Sequence, residues 1–284
     1  MVQIKIQGLE CGYVDGFHLG PVDMEIRKGS FTGIIGPNGS GKSTLFKCLT
    51  GDLKLQKGTI ELLNKELSLY TLKERARKIS IVTQFCELAP VTVEEYVLMG
   101  RMPYRKMFQF YNSVRDQEVA DFYISLTGIE HLRHKRITEL SGGEQQMASI
   151  ALALTQEPEI LLLDEATSHL DITHQIRILN LLQKLNEETG LTIVMIIHDL
   201  NMASEYCSDL FLMKKGGLYT SGIPQEVLTY ENIEQVYKTV VLTDSNPLSG
   251  KPVIYPVSGK RLDEHKLKNE HKHNIVAGQT RGNS

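Results

Sequence analysis

The 284-residue chain contains no run of eighteen or more apolar residues, so it offers no candidate for a membrane-spanning helix. Its opening, Met1-Val2-Gln3-Ile4-Lys5, carries neither an apolar signal core nor a cleavage site, and the expected location is the cytosol or the surface of a membrane. Cysteine is sparse. Cys11, Cys48, Cys86 and Cys207 are scattered without CxxC or histidine spacing, which leaves neither a disulfide framework nor a zinc site and points to single buried thiols. Charge of one sign is also lacking: 31 Lys and Arg stand against 34 Asp and Glu, a net of −3, and bulk electrostatics gives no support for a nucleic-acid binder. No sustained heptad repeat runs between Gln84 and Leu140, so no long coiled coil is expected there. The length suits one large α/β domain or two small ones with a substantial core.

What is present centres on Gly36-Pro37-Asn38-Gly39-Ser40-Gly41-Lys42-Ser43-Thr44. Gly36, four residues, then Gly41-Lys42-Ser43 is the Walker A spacing, and it lies between an apolar strand, Phe31 to Ile35, and a helical run from Leu45. The glycines let successive backbone N–H groups converge on one anion, and the helix start adds its positive end. Lys42 can reach β- and γ-phosphates, and the Ser43 hydroxyl is placed to ligate a Mg²⁺ bridging the same oxygens.

Along the chain, short alternating runs from Val2 to about Gly33 read as antiparallel strands. Tyr13 stands in a turn, where its ring could stack on adenine or simply serve the turn. Gly58 to Leu62 reads as a strand, Thr71 to Lys78 as a short basic helix, and Ile79 to Val82 as a buried strand ending at Thr83-Gln84. A helix is predicted from Thr92 to Met99, with Thr92 as N-cap and Glu95 completing a capping box. Arg101 to Tyr111 is aromatic and basic, and residues 85–155 read as a mostly helical insertion. Leu140-Ser141-Gly142-Gly143-Glu144 opens a helix whose N-terminus is a second anion site. The apolar strand Ile160 to Leu163 ends in Asp164-Glu165, two carboxylates that need a cation or a solvated cleft. The next apolar strand, Thr192 to Ile197, ends in His198-Asp199. Two further strands join at Gly216-Gly217, then a helical stretch runs from Pro224 to Lys238. Asn246 to Pro252 reads as irregular. From Arg261 the chain is polar and is expected to be a disordered tail.

The motif set resembles the ATP-binding cassette (ABC) ATPases: the glycine loop, Gln84 after a strand, the signature Leu140 to Glu144, Ile160 to Asp164 with Glu165, a D-loop-like Ser168-His169-Leu170-Asp171, and His198. The resemblance covers roughly residues 1–240 and implies an α/β P-loop NTPase fold with a RecA-like core, an antiparallel β subdomain and the inserted helical subdomain. Residues 241–260 then form a C-terminal extension. Leu98-Met99-Gly100-Arg101, His198-Asp199-Leu200-Asn201 and Gly222 to Leu228 look like the ATPase subunits of importers for iron-siderophores, haem or cobalamin.

Carried over by resemblance, Tyr13 stacks on adenine and Gly36 to Thr44 hold the phosphates. Ser43 and Asp164 organise Mg²⁺, Gln84 senses metal and water, Glu165 polarises the attacking water, and His198 contacts the γ-phosphate. The family architecture implies that Ser141 to Gly143 of one copy cover the nucleotide held by Lys42 of another, so a two-fold dimer is expected. Separate permease subunits, and indirectly an external binding protein, are the implied partners, at the cytoplasmic face of the membrane. The docking surface is expected after Gln84, with Phe85, Glu87, Arg101 and Tyr104 as its unusual residues. Glu144 stands where many relatives have glutamine, and His169 is bulkier than usual in its loop. A soluble ABC ATPase without a transport role and a detached exporter ATPase are the alternative readings.

Overall fold

The N-terminal alternation folds into two long antiparallel strands, β1 (Val2–Gly12) and β2 (His18–Arg27). On β1 the inward residues are Ile4 and Ile6, then Leu9 and Cys11, a change of parity along a period-two strand. A register shift between Ile6 and Leu9 absorbs it, with Gly8 at φ +55° supplying the left-handed residue of the bulge. β4 (Lys57–Leu62) and β5 (Lys65–Glu66) complete this sheet in the order β2-β1-β4-β5.

The second sheet carries the chemistry. Its order is β10 (Gly217–Gly222), β9 (Asp209–Lys214), β3 (Phe31–Ile35), β8 (Thr192–Ile196), β7 (Ile160–Asp164) and β6 (Ile79–Val82). All neighbours are parallel except the β9–β10 hairpin. Successive residues of the fully apolar strands serve opposite faces: Ile160 and Leu162 pack with the antiparallel sheet and α1 (Lys42–Thr50), whereas Leu161 and Leu163 pack into the larger helical core. Both faces are covered, which is why these strands lack alternation in sequence.

The computed structural model describes residues 1–13, 16–83, 90–106, 111–168 and 170–260. Expectations for Gln84, Phe85, Cys86, Glu87, His169 and the tail from Arg261 lie outside the described residues. Among those described, no helix is long and apolar enough to cross a membrane.

Between β6 and β7 the described residues form the helices α3 (Val93–Leu98), α4 (Val114–Leu126) and α5 (Gly142–Thr155), and a short α2 (Leu72–Ala76) precedes β6. The Thr92–Glu95 capping box forms as its residue types predict, with the Thr92 N–H donating to Glu95 Oε2 at 2.8 Å. Arg101 departs from expectation. Its side chain is buried, donating through Nε to Asp116 at 2.9 Å and through Nη1 to the Thr155 carbonyl and Glu157, both at 2.8 Å. The guanidinium stacks 4.0 Å from the Tyr104 ring centroid, and the Tyr104 hydroxyl donates to the Gln156 carbonyl. These two residues tie the helical layer to the end of α5, and Arg101, buried there, is not offered to a docking surface. A buried guanidinium needs this many partners to offset its desolvation.

After β7 come α6 (Ile172–Thr189), ended by Gly190 at φ +69°, and, following β8, α7 (Leu200–Tyr206). The expected single helix from Pro224 is two, α8 (Pro224–Val227) and α9 (Tyr230–Tyr237), because the Thr229 side chain caps a new start. The irregular Asn246 to Pro252 proves to be the turn of an antiparallel hairpin, β11 (Val241–Ser245) and β12 (Pro252–Pro256).

Candidate functional site

The glycine loop leaves β3 at its carboxyl end and enters α1 without any side-chain cap: Gly41 occupies the cap position at φ +107°. Two glycines here are required by space as well as by dihedral angle. A Cβ on Gly36 would lie 2.5 Å from the Met213 carbonyl oxygen, and one on Gly41 would meet Leu19 Cδ1 at 2.6 Å and Phe17 Cζ at 2.9 Å. The opening N–H groups of α1 therefore have no internal acceptor, which is the condition for anion binding at a helix start. Ser40 Oγ is buried and unpartnered, a further donor awaiting an oxygen. Lys42 is 5% exposed and its ammonium donates to the Gly36 and Pro37 carbonyls at 2.8 and 3.2 Å. Burial pushes its pKa down, with Glu165 and Asp164 partly opposing that shift. Anionic oxygens are the ligands that would offset this desolvation. Asn38, Gly39, Gly41, Lys42, Ser43, Thr44, Glu165 and Phe17 line a pocket of ≈ 220 Å³. A larger hollow of ≈ 410 Å³, lined by Lys5, Asp23 and Arg27 among others, lies away from the loop and holds none of these groups.

The parallel order places the other predicted groups at neighbouring strand ends. Asp164 closes β7, Glu165 follows it, and His198 follows β8, the strand beside both β7 and β3. Burial, then the adjacent Glu165 carboxylate, hold the Asp164 pKa above the ordinary value, as expected of an acid placed for a cation. Glu165 is a non-glycine residue at φ +51°, a strained backbone held by the Ser168 N–H donating to its carbonyl at 2.9 Å. Its Oε1 meets His198 Nε2 at 2.5 Å. Ser43 and Asp164 offer hard oxygen donors that suit Mg²⁺. Among the described residues no cluster of three or more His, Cys, Asp or Glu exists to form a closed protein cage, so phosphate oxygens and water would supply the remaining ligands.

The helix start expected to form a second anion site is built differently. Ser141 caps α5, and Glu144 answers it: the Ser141 N–H and Oγ donate to Glu144 Oε2 at 2.8 and 2.7 Å. Those hydrogen bonds from Ser141 hold the Glu144 carboxyl below its usual pKa. Ser141, Gly142 and Gly143 are not among the residues lining the glycine-loop pocket.

Residues 19–168 match the ABC transporter family model. The chain belongs to that family. It is 40% identical over 258 residues to the ferric enterobactin transport ATP-binding protein of Escherichia coli (strain K12), covering 90% of this chain and 95% of the relative. With the iron(3+)-hydroxamate import ATP-binding protein of Bacillus subtilis (strain 168) it shares 36% over 255 residues, 89% of this chain and 94% of the other. Among solved structures it is similar to an inward-facing metal-chelate type ABC transporter, with TM-score 0.80 at 27% identity over 92% of this chain and 99% of that one. A dimeric ABC transporter cassette aligns with TM-score 0.70 at 30% identity, over 78% and 98%. The chain is thus an ATP-binding ABC ATPase.

Two residues of this cassette escaped the sequence reading. Phe17 is the ring that lines the phosphate pocket, whereas Tyr13 stands farther out, 47% exposed, with Lys47 Nζ 3.5 Å from its hydroxyl. The signal was their shared turn, in which the Tyr13 N–H donates to the Phe17 carbonyl at 3.1 Å. His174 is the other. Its Nδ1 pairs with the capping Asp171 at 2.8 Å, and its ring fills the space beside Gly143, where a Cβ would lie 2.4 Å from Cδ2. Only the fold brings α6 to the signature.

Proposed function

We propose that this chain is the ATP-hydrolysing subunit of an importer that takes up an iron-siderophore, haem or cobalamin-type chelate through separate membrane subunits. The observation that carries this reading is its likeness, over nearly its whole length, to ATP-binding subunits named for ferric enterobactin and iron-hydroxamate uptake. In this reading residues 1–240 are the motor, with a helical subdomain at about 85–155, and residues 241–260 are an extension of it.

The residues divide the work of phosphoryl transfer, which asks mainly for positioning and charge neutralisation. Gly36 to Thr44 cradle the phosphates through backbone N–H groups, with Ser40 Oγ and the Lys42 ammonium added. Tyr13 and Phe17 offer rings at the adenine side. Ser43 and Asp164, together with Gln84 by family resemblance, would hold a Mg²⁺, which would supply neutralisation of the phosphate charge. Glu165 orients and polarises the attacking water. His198, already hydrogen-bonded to Glu165, fixes that carboxylate and approaches the γ-phosphate. Ser141, Gly142 and Gly143 of a second copy complete the site, so two copies enclose two nucleotides. Closure is passed to permeases from the cytoplasmic face, and an external binding protein delivers the cargo.

The test is uptake of labelled iron-siderophore, haem and cobalamin in cells whose only copy carries Lys42→Ala. Selective loss of one cargo is the expected result. Undiminished uptake of all three, from cells in which wild-type protein hydrolyses ATP, would remove the importer assignment and leave the ATPase.

A further inference from the structure

The hairpin β11–β12 and the histidine-loop helix α7 are joined by a dense set of polar contacts that the cassette chemistry does not call for. α7 begins two residues after His198, and its cap, Asp199, accepts from the Asn201 and Met202 N–H groups at 2.8 and 3.0 Å. It is seven residues long, too short to hold its own geometry without tertiary anchors. Its inner face is anchored by Ala203 and Ser204, both buried. Its other anchor is the hairpin. Asn201 makes a two-point clasp on one residue, accepting from the Ile254 N–H at 2.8 Å and donating to the Ile254 carbonyl at 3.3 Å. Ser204 Oγ donates to the Pro252 carbonyl at 2.7 Å. One turn on, Glu205 takes the hairpin turn: its Oε2 accepts from Ser249 Oγ at 2.8 Å and Asn246 Nδ2 at 3.3 Å, while Lys251 Nζ donates to its carbonyl. Asn201, Ser204 and Glu205 recur at the three- and four-residue spacing of one helix face.

Tyr237, the last residue of α9, is partly buried, and burial raises its hydroxyl pKa to about 12. α9 also packs on β11. The segment from α9 to β12 thus packs against the helix that follows His198, without contributing a group to the pocket lining.

We infer that the hairpin is a brace for the histidine loop: by clasping α7 through Asn201 and Ser204, it holds His198 against Glu165. Asn201 is a positioning residue in this account, acting through His198. The inference rests on the ATPase reading of the site given above. It also assigns work to two stretches that the motif chemistry left unexplained, Asn201 within the His198 string and the segment Asn246 to Pro252.

The test uses full-length protein with three variants, Asn201→Ala, Asn201→Asp and His198→Ala, read by steady-state ATPase, equilibrium ATP binding, thermal melting and the imidazole NMR signals. Asn201→Ala is expected to lower kcat roughly fivefold to tenfold with KM for ATP within about twofold, because positioning of the water-polarising pair is lost while the phosphate cradle stays. The His198 signal should shift or broaden while the other imidazoles stay in place. Asn201→Asp keeps the acceptor for the Ile254 N–H and should retain most of kcat. An unchanged kcat in Asn201→Ala, a proportional rise in KM, an unmoved His198 signal, or an equal loss in Asn201→Asp would overturn the brace. If Asn201→Ala melts early, the Asp variant and Ser204→Ala decide by the same kcat-against-KM split. Failure of the ATPase reading looks different: wild type would not turn over ATP, or His198→Ala would match it.

Discussion

The two helix starts proposed as anion sites are both preceded by glycines or followed by them, yet they are finished in opposite ways. α1 has no side-chain cap and no acidic residue in its first turn, so its N–H groups face the pocket unsatisfied. α5 is capped twice over, by Ser141 and by Glu144, and places a carboxylate in its first turn. The first is ready for phosphate as it stands. The second satisfies its own cap until something better approaches, since the Ser141 hydroxyl that would meet the γ-phosphate is already donating to Glu144. A site that holds nucleotide must be preformed, whereas one that closes over it on demand can rest in a self-satisfied state.

Separating closure from chemistry sharpens this contrast most, and Glu165→Gln does so. Loss of the carboxylate proposed to polarise water is expected to cut hydrolysis by about 10²–10⁴ while leaving the cradle intact. ATP should then drive the variant into a long-lived dimer, seen by size-exclusion chromatography with bound nucleotide. Turnover at the wild-type rate would dismiss Glu165 from that role.

The next effect belongs to the first site. Gly36→Ala forces a Cβ to within 2.5 Å of the Met213 backbone oxygen at φ +149°, a clash that no rotamer relieves. ATP affinity of the monomer should fall at least about a hundredfold by equilibrium titration, since the convergence of N–H groups is lost. At the second site the glycines differ between themselves. Gly142 has nothing within 4 Å of a Cβ, while Gly143 meets the His174 ring at 2.4 Å. Gly143→Ala should therefore impair ATP-driven dimerisation of the Glu165→Gln protein by roughly tenfold, with monomer affinity unchanged. Gly142→Ala should be far milder. Pairing Gly143→Ala with His174→Ala should restore part of the loss if the clash is the cause.

How much of this was legible beforehand follows from what each feature depends on. The glycine loop, the strand-end carboxylates and the Thr92 cap rest on local spacing, and local spacing is written in the chain. The bulge at Gly8 was hidden because the change of parity spans a short interval that alternation blurs. Arg101 read as a surface residue because a lone arginine looks solvated. Its partners Asp116, Thr155 and Glu157 lie on other elements, so only packing reveals that it is buried. His174 and Phe17 are of the same kind, each deriving its role from a neighbour distant in sequence. The hairpin was missed because β11 is mostly exposed and gives no apolar run, its strands being held by α7 and α9 rather than by a core of their own.

The smallest expected effect probes the self-satisfied site directly. Glu144→Gln keeps an acceptor for Ser141 and removes one negative charge from the place where a second copy must receive phosphate. Charge at a first helical turn contributes about 0.3–1 kcal/mol, so the ATP concentration for half-dimerisation of the Glu165→Gln protein should fall by about two- to fivefold. Monomer affinity should stay the same, because Glu144 is not part of the glycine-loop pocket. Salt should shrink the difference, as it screens an exposed charge. The pH dependence has a definite sign: Ser141 hydrogen bonds depress the Glu144 pKa, so the carboxylate stays charged below the ordinary range, and the two proteins should converge only as pH drops through that lowered value. A variant that dimerised less readily than its parent would mean that Glu144 supports closure and does not compete with phosphate, and the contrast between the two helix starts would then lie in capping alone.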